Sequence, residues 1–222
     1  VSFSSSNSSS DPDYPSSYLA MEGDTVTLSF TTDERVEDVE VMINGSTYSA
    51  TDEGSGTSWS ADHVVSSGED AETVEFKIIK FNDSSGNHLV SSSIYSIDDL
   101  SKSVMIDTTK PEIQNIQLAS TNNHTRLDVN KLATARDNIT LSFTATEYIK
   151  TPQILFAGQT LQASKVDGTQ YEWELIHGVS DADPNGLFQF TISYQDPVGN
   201  SGDNITNTSD GSMVTIDTAN PQ

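Results

Sequence analysis

The second half of the chain repeats the first at an offset of about 113 residues, and this internal repeat limits the fold more than any other feature. The segment GDTVTLSFTTDERV at 23–36 aligns with RDNITLSFTATEYI at 136–149. The segments NDSSGN and QDPVGN also correspond, as do the closing segments IDTTKP and IDTANP. A period of this length, sustained along the chain, predicts two tandem domains of one kind, at 1–109 and 110–222.

Each copy has the residue pattern of short β-strands. VTLSF at 26–30 and ITLSF at 139–143 alternate apolar and polar residues, as strands with one buried face do. Asn44 and Gly45 form a dipeptide typical of a tight β-hairpin. Neither copy shows helical periodicity. About seven strands in each copy predict an all-β chain, with two tandem immunoglobulin-like β-sandwich domains placed end to end.

The alignment of the two copies also locates an irregularity in one strand. Ile78 aligns with Ile192 at an offset of 114, whereas Phe81 aligns with Tyr194 at an offset of 113. The first copy therefore has one extra residue between Ile78 and Phe81, where the inward alternation changes phase. This predicts a β-bulge in the first copy and none at the matching place in the second.

The charge balance excludes several classes of partner. The chain has 33 acidic and 10 basic residues, a formal net charge of −23. Such a surface repels nucleic acid and anionic membranes, and it favours bound cations or a salty medium. Cysteine is absent, so each domain depends on packing or on a bound ion. No apolar stretch is long enough to insert into a membrane. With no signal peptide and no initiator methionine, we expect an excised piece of a longer chain.

No residue pattern in the chain indicates catalysis. Phosphate loops, nucleophile elbows and zinc signatures are all missing, so we expect neither an enzyme nor a catalytic cofactor. His63 and His177 align, and we expect each to be a rim residue with a satisfied ring. The other histidines, His88 and His124, have no metal-type spacing to them. The Glu172 and Glu174 pair, which flanks Trp173, is interpreted as ordinary strand surface.

Aromatic residues raise the question of carbohydrate binding, because exposed rings can stack on sugars. Trp59 and Trp173 recur at one position among alternating apolar residues, which predicts core packing for both. Tyr14, Tyr18 and Tyr95 lie in less regular segments of the first copy and are the better candidates for an exposed platform.

Calcium is the most specific ligand that the composition suggests, because it prefers several oxygen ligands and would neutralise clustered carboxylates. The candidate ligands are Asp107, at the end of the first copy, and Asp137 and Asp196 of the second. The alternative for Asp196, and for its counterpart Asp83, is that the aspartate opens a D-x-x-G-N turn and caps its backbone N–H groups. A capped turn is also the alternative for Asp107.

Asn-x-Ser/Thr sequons make N-glycosylation an option wherever the machinery exists, although a chain rich in Asn, Ser and Thr forms such sequons by chance. The candidate residues are Asn7, Asn44, Asn82, Asn123, Asn138, Asn204 and Asn207.

The motifs GDTVTLSF, a central Trp, D-x-x-G-N and the closing VMIDTTKP together resemble the bacterial immunoglobulin-like repeats of very large secreted or surface-anchored proteins. The resemblance covers both copies. It implies an adhesin, a biofilm-matrix component or a stalk, and some related arrays bind calcium between domains. The first copy departs from the pattern at 88–103, where the offset between the copies falls from 113 to 110.

These observations predict a non-catalytic structural or adhesive module, two repeats of a longer extracellular or cell-surface array that forms a stalk, an adhesin or a filament. Its partners would be neighbouring repeats of the same or an identical chain, and a filament could use the N-terminal strand as donor. The alternative is a carbohydrate- or protein-binding module attached to a larger surface protein or enzyme.

Overall fold

The computed structural model describes residues 1–9, 18–71, 73–90, 95–96, 103–123, 125–127 and 130–219. The chain forms two compact units, Val1–Thr109 and Lys110–Gln222. Its described residues contain β-strands and no α-helix, which confirms the all-β prediction. Within this part of the chain, no helix is long and apolar enough to cross a membrane.

The first unit is built from two main sheets and one short parallel pair. One sheet has the strand order β1-β3-β7-β6, and the other has the order β10-β8-β4-β5, with β9 also on β8. Strands β2 and β11 pair in parallel. The strands are β1 (Ser2–Ser5), β2 (Leu19–Ala20), β3 (Thr25–Thr31), β4 (Val36–Ile43), β5 (Ser46–Ser49), β6 (Thr51–Asp52), β7 (Ser58–Val64), β8 (Glu75–Asp83), β9 (His88–Val90), β10 (Tyr95–Ser96) and β11 (Met105–Ile106).

The second unit repeats this plan with sheets of order β12-β15-β19-β18, β17-β16-β21 and β13-β14-β22-β20. Its parallel pair is β14 with β22. The strands are β12 (Ile113–Ser120), β13 (Thr125–Leu127), β14 (Asn130–Ala133), β15 (Asn138–Ala145), β16 (Gln153–Phe156), β17 (Gln159–Gln162), β18 (Ser164–Lys165), β19 (Glu172–Gly178), β20 (Gly186–Leu187), β21 (Phe190–Ser193) and β22 (Met213–Ile216).

Each unit is an immunoglobulin-like β-sandwich, with one hydrophobic core made from the inward residues of its strands. Phe30 lies opposite Trp59 in the first unit, and Phe143 lies opposite Trp173 in the second. All four side chains are at most 6% exposed. Burying a large apolar side chain contributes about 1.5–3 kcal/mol, so the alternation seen in the sequence fixes which face of each strand is inward.

A two-residue turn closes the β4–β5 hairpin of the first unit and the equivalent β16–β17 hairpin of the second. Asn44 and Gly45 have φ angles of 43° and 84°, and Ala157 and Gly158 have φ angles of 49° and 79°. Two consecutive positive φ angles define the type I′ turn that matches the twist of the flanking strands. The Asn-Gly hairpin prediction is therefore confirmed, whereas Ala157 gives no sequence signal for this conformation.

The predicted β-bulge is present in the first unit. Glu40 pairs with Lys80 and Val41 pairs with Ile78, which leaves Ile79 as the extra residue on β8. In the second unit, β16 and β21 pair without interruption. Both parts of the prediction are confirmed. The same ladder has a second irregularity that the alignment did not predict, on β4 between Glu37 and Glu40.

Candidate functional site

The residues that follow the last strand of the first unit, 107–109, form a hydrogen-bonded closing turn. The Asp107 carboxylate accepts a 2.9 Å bond from the Thr109 N–H. Asp70 accepts bonds from the Thr108 N–H at 2.7 Å, from the Thr108 Oγ1 at 2.9 Å and from the Thr109 Oγ1 at 3.1 Å. The bond from the Thr108 N–H is the main reason why the pKa of Asp70 lies below its usual value. Asp107 therefore caps a turn, as its alternative interpretation expected.

Residues 217–219 form the same closing turn after the last strand of the second unit. The Asp217 carboxylate accepts a 3.2 Å bond from the Ala219 N–H. Asn185 accepts bonds from the Thr218 N–H at 2.8 Å and from the Thr218 Oγ1 at 3.0 Å, so it takes the place of Asp70. Sequence reasoning missed Asp70 and Asn185. The available signal was a polar residue five positions before the corresponding strands β8 and β21.

The D-x-x-G-N turns have one hydrogen-bond pattern and two environments. Asp196 accepts bonds from the Gly199 N–H at 2.6 Å and from the Asn200 N–H at 2.9 Å, and its second oxygen accepts one from the Asn200 Nδ2 at 2.8 Å. Asp83 accepts the equivalent two bonds from the N–H and the Nδ2 of Asn87, and a third bond from the Ser85 N–H. Asp83 is half-buried, whereas Asp196 is fully buried at 0% exposure. Capping of these turns is confirmed for both aspartates.

A second carboxylate lies close to Asp196 in the second unit. Carboxylate oxygens of Glu147 and Asp196 are within 4.8 Å of each other. Burial raises the pKa of Asp196, although hydrogen bonds from Asn200 and Gly199 oppose that effect. Two carboxylates at this distance repel each other unless a proton or a cation lies between them, so the pair offers two of the oxygens that a calcium ion needs. Calcium binding stays a prediction.

Asp137 lies away from this carboxylate pair. It precedes β15 and Glu147 follows it, so the eight residues of the strand separate the two by about 26 Å. The Asp137 carboxylate accepts bonds from the Asn122 Nδ2 at 2.6 Å and from the Thr134 N–H at 2.7 Å. These bonds, with Asn122 first, lower the pKa of Asp137. The structure therefore does not bring Asp137 and Asp196 together as shared ligands.

The environment of Asp137 repeats in the first unit around Asp24. Asp24 accepts a 2.7 Å bond from the Nδ2 of Asn7 and a 2.8 Å bond from the Met21 N–H. Since the same acceptor, amide and N–H recur in both units, this arrangement ties the first strand of each sandwich to the next part of the chain. The arrangement is structural, and both carboxylates already accept hydrogen bonds from protein groups.

The two aligned histidines are each bonded to a carboxylate. His63 is buried, with its Nε2 2.6 Å from Glu69 and its Nδ1 2.6 Å from the Tyr48 hydroxyl. His177 has its Nε2 3.1 Å from Asp183. The expectation of a histidine with a satisfied ring is confirmed for His63. In both units the carboxylate also accepts a backbone N–H from a serine, so these pairs brace a turn.

The tryptophans are core residues, as predicted. Trp59 and Trp173 are 6% and 4% exposed, and neither indole N–H has a hydrogen-bond partner among the described residues. Tyr14 and the side chain of Tyr95 lie outside the described part of the chain. Tyr18 is half-buried. Glu174 is half-buried and Glu172 exposed, consistent with the surface interpretation.

The sequons differ in how far the folded chain presents them. The side chain of Asn7 is 7% exposed and its amide nitrogen donates to Asp24, so the fold hides this residue from a glycosylating enzyme. The amide nitrogens of Asn44 and Asn82 also donate, to Glu69 and Asp38. The sequon asparagines with exposed side chains are Asn123, Asn138, Asn204 and Asn207.

The second unit contains an open groove of about 660 Å³. Three of its lining residues, Leu155, Leu187 and Met213, are large apolar side chains with 48%, 51% and 38% of their surface exposed. Sequence reasoning did not identify this groove, because Leu155 and Leu187 resemble ordinary strand residues.

Comparisons with known proteins add no family assignment. No protein-family model matches the chain, and no curated protein sequence matches it. Among solved structures, the chain matches the fibronectin(III)-like modules of Clostridium thermocellum CbhA, at 14% identity over 90% of this chain and 87% of that chain, with a TM-score of 0.35.

Two further matches are parts of larger proteins. One is the Bacteroides ovatus mixed-linkage glucan utilization locus SGBP-B in complex with a heptasaccharide, at 19% identity over 95% of this chain and 45% of that chain, with a TM-score of 0.23. The other is the maltogenic amylase from S. marinus, at 7% identity over 88% and 31%, with a TM-score of 0.24. The chain thus spans less than half the length of these two proteins.

Proposed function

We propose that this chain is a non-catalytic structural module, two immunoglobulin-like repeats of an extracellular array that spaces or presents another part of a surface protein. The observation that carries the proposal is the closing turn, which recurs after the last strand of both repeats. Thr108 with Asp70, and Thr218 with Asn185, fix the backbone at the same point each time. A turn that is rebuilt at the end of every unit suits a chain in which one unit follows another.

The polar contacts that the two repeats share support a structural role. In both repeats three matching carboxylates accept hydrogen bonds from backbone N–H groups: Asp24 and Asp137, Asp107 and Asp217, and Glu69 and Asp183. Carboxylates engaged in this way stabilise loops and are not positioned as an acid and a base about a substrate. The net charge of −23 disfavours nonspecific association and contact with anionic surfaces.

Immunogold electron microscopy of the native source tests this proposal. An antibody raised against the 222-residue chain should label surface stalks, filaments or extracellular matrix, and the spacing of the labels should follow the number of repeats. Labelling confined to the cell interior would contradict the proposal. Hydrolysis of a polysaccharide by the purified chain would also contradict it, since the module is proposed to have no catalytic site.

The second candidate function is a carbohydrate- or protein-binding module attached to a larger surface protein. The groove beside Leu155, Leu187 and Met213 favours this candidate, because contiguous exposed apolar side chains on a soluble domain commonly mark an interaction site. A glycan array and a peptide-binding titration with the same purified chain separate the carbohydrate and protein forms of this candidate.

A further inference from the structure

The groove of the second repeat is uncharged. None of its 16 lining residues is Asp, Glu, Lys, Arg or His, although charged residues make up 19% of the chain. In a protein with 33 acidic residues, a surface of this size without a carboxylate is a departure from the rest of the molecule. Its polar lining groups are amides and hydroxyls, such as those of Thr191 and Asn207. A charged ligand would therefore find no opposite charge in the groove, whereas a neutral ligand would find hydrogen-bonding groups beside apolar side chains.

The groove lies along an open strand edge at Phe190. Ile192 exchanges both of its backbone hydrogen bonds with Ile205, at 2.8 Å and 3.1 Å. Alternate residues of a strand direct their backbone groups to the same edge, so the N–H and C=O of Phe190 point to the edge that faces the groove. Within the described residues 130–219, no backbone hydrogen bond joins Phe190 to the chain segment on that side, 206–212.

The gap at this edge has a defined extent. On one side of Phe190, the Phe188 N–H donates to the Val214 carbonyl at 2.8 Å, and on the other side Ile192 pairs with Ile205. On this edge the strand thus crosses three residues, about 10 Å at 3.3 Å per residue, without a paired neighbour, while β16 pairs with its other edge. The chain between Ile205 and Val214 leaves the sheet here and bonds to the first strand instead, through the Ser209 N–H and the Ile116 carbonyl at 2.8 Å.

In the first repeat, a β-strand occupies the edge that corresponds to this one. Phe76 aligns with Phe190, and Val74 aligns with Phe188 and donates its N–H to Val104 in the same way, at 2.9 Å. In the first repeat, however, the next position is filled, because Tyr95 of β10 pairs antiparallel with Phe76. The filling strand belongs to the 88–103 segment, which is longer than its counterpart in the second repeat. The second repeat lacks this strand and leaves the edge open.

We propose that the groove of the second repeat binds an uncharged, extended peptide segment of a partner protein, which adds a strand at Phe190 as β10 does at Phe76. The peptide would exchange backbone hydrogen bonds with Phe190, and its apolar side chains would cover Leu155, Leu187 and Met213. The proposal specifies the ligand class of the binding module described under the proposed function, namely an uncharged extended peptide. It stands whether or not the chain is part of an array, because the groove lies within one repeat.

A glycan fits the groove less well than a peptide. The aromatic lining residues, Phe188 and Phe190, are 4% and 5% exposed, so they offer no ring face on which a sugar could stack. The exposed lining side chains are aliphatic, and an unpaired strand edge has hydrogen-bonding groups at the spacing of a peptide backbone.

The test uses the 222-residue chain and a peptide taken from its own first repeat, acetyl-SSSIYSI-amide, which corresponds to residues 91–97. Heteronuclear NMR follows the backbone amides during the titration. We expect the resonances of Phe190 and its groove neighbours to shift, and hydrogen exchange of the Phe190 amide to slow at least tenfold at saturation. The same peptide with an N-methyl group on its tyrosine, which removes a backbone donor, should bind at least tenfold more weakly.

A matched pair of variants locates the binding. Leu155→Glu places a charge in the groove and should raise the Kd at least tenfold. Ile176→Glu changes a residue that is 56% exposed on β19, outside the groove, and should leave the Kd within twofold. Each variant alters an exposed side chain, so both should fold, and an unchanged spectrum outside the mutated strand verifies this.

Three results would overturn the proposal. The first is the lack of any change at Phe190 with millimolar peptide, and the second is equal affinity of the Leu155→Glu and Ile176→Glu variants. The third is occupation of the groove by something else: a shift at Phe190 with cellohexaose but not with the peptide, or a shift that depends on protein concentration alone. Cellohexaose binding would identify a glycan site, and concentration dependence would identify a second copy of the chain as the occupant.

Discussion

Asp83 and Asp196 each accept a hydrogen bond from the N–H of the asparagine four residues later in the turn, yet Asp196 is fully buried and Asp83 is not. The difference reverses the direction of their pKa shifts. Burial raises the pKa of Asp196 above 3.8. For Asp83, hydrogen bonds led by the Asn87 side chain lower the pKa below 3.8. One sequence motif thus carries two electrostatic properties, and the surrounding sandwich decides which of them it has.

We predict that this pair gives opposite pH dependences of stability. The protonated form of Asp196 is favoured by folding, so its contribution to stability is present at low pH and is lost as the pH rises from about 3.8 through the raised pKa. Asp196→Asn removes this loss. The melting temperature of the variant relative to wild type should therefore rise between pH 4 and pH 7.

Asp83→Asn is the matched control, and its expected pH dependence has the other sign. The charged form of Asp83 is favoured by folding, so its contribution is present above 3.8 and is lost as the pH falls. The effect should be small because solvent screens the group. Calorimetry from pH 3 to pH 7 measures both variants. Parallel pH profiles for the two variants would contradict the assignment.

We predict that the closing turn of the first repeat depends on the acceptor Asp70, and the second repeat, which has Asn185 at this place, supplies the conservative replacement. Asp70→Ala removes the acceptor for the Thr108 N–H, the Thr108 hydroxyl and the Thr109 hydroxyl, and should destabilise the first repeat by about 1 kcal/mol. Asp70→Asn installs the residue that the second repeat has at Asn185, so it should cost less than half as much. Urea unfolding measures the difference. Equal losses for the two variants would show that the charge, and not the acceptor, is what stabilises this turn.

Calcium binding is testable through the carboxylate pair of the second repeat. Extracellular calcium sites have dissociation constants of about 10⁻⁴–10⁻³ M, so 5 mM calcium should stabilise the chain by about 1–2 kcal/mol relative to chelator. Glu147→Gln and Asp196→Asn should abolish the response. Asp137→Asn should retain it, because Asp137 lies at the other end of β15 and holds Asn122. An unchanged melting temperature on adding calcium to the wild-type chain would remove the metal hypothesis.

The sequence predicted the features that depend on local pattern. The alternation in 26–30 predicted the buried face of β3, and the offset change between Ile78 and Phe81 predicted the bulge. Alignment of the copies was sufficient because a bulge is one extra residue in one strand. Capping by Asp83 and Asp196 was predicted for the same reason, since the bonds stay within four residues.

The features that depend on distant parts of the chain could not be predicted in this way. Asp70 meets Thr108 across 38 residues, and no spacing rule connects them. Glu147 follows β15 and Asp196 follows β21, and their carboxylates come together across 49 residues of sequence. The open edge at Phe190 follows from a shorter segment at 201–212, but the length alone does not show which strand loses its neighbour.

Gly202 and Tyr194 provide the most direct test of packing in the second repeat. A Cβ on Gly202 would overlap Cε2 and Cζ of the Tyr194 ring. Tyr194 is 7% exposed and Ile113 hydrogen-bonds to it, so the ring cannot swing away without losing a contact. Gly202→Ala should therefore destabilise the second repeat by about 1–3 kcal/mol through overpacking.

Gly178→Ala is the control, since a Cβ there would meet only the Asn138 Oδ1 at an ordinary 3.6 Å. Its cost should stay within about 0.5 kcal/mol. The double variant Gly202→Ala with Tyr194→Leu separates overpacking from a backbone effect: if the ring is the obstacle, the two changes together should cost less than the sum of the single changes. Additive losses in urea unfolding would contradict the packing explanation, since Gly202 has no positive φ that would itself require glycine.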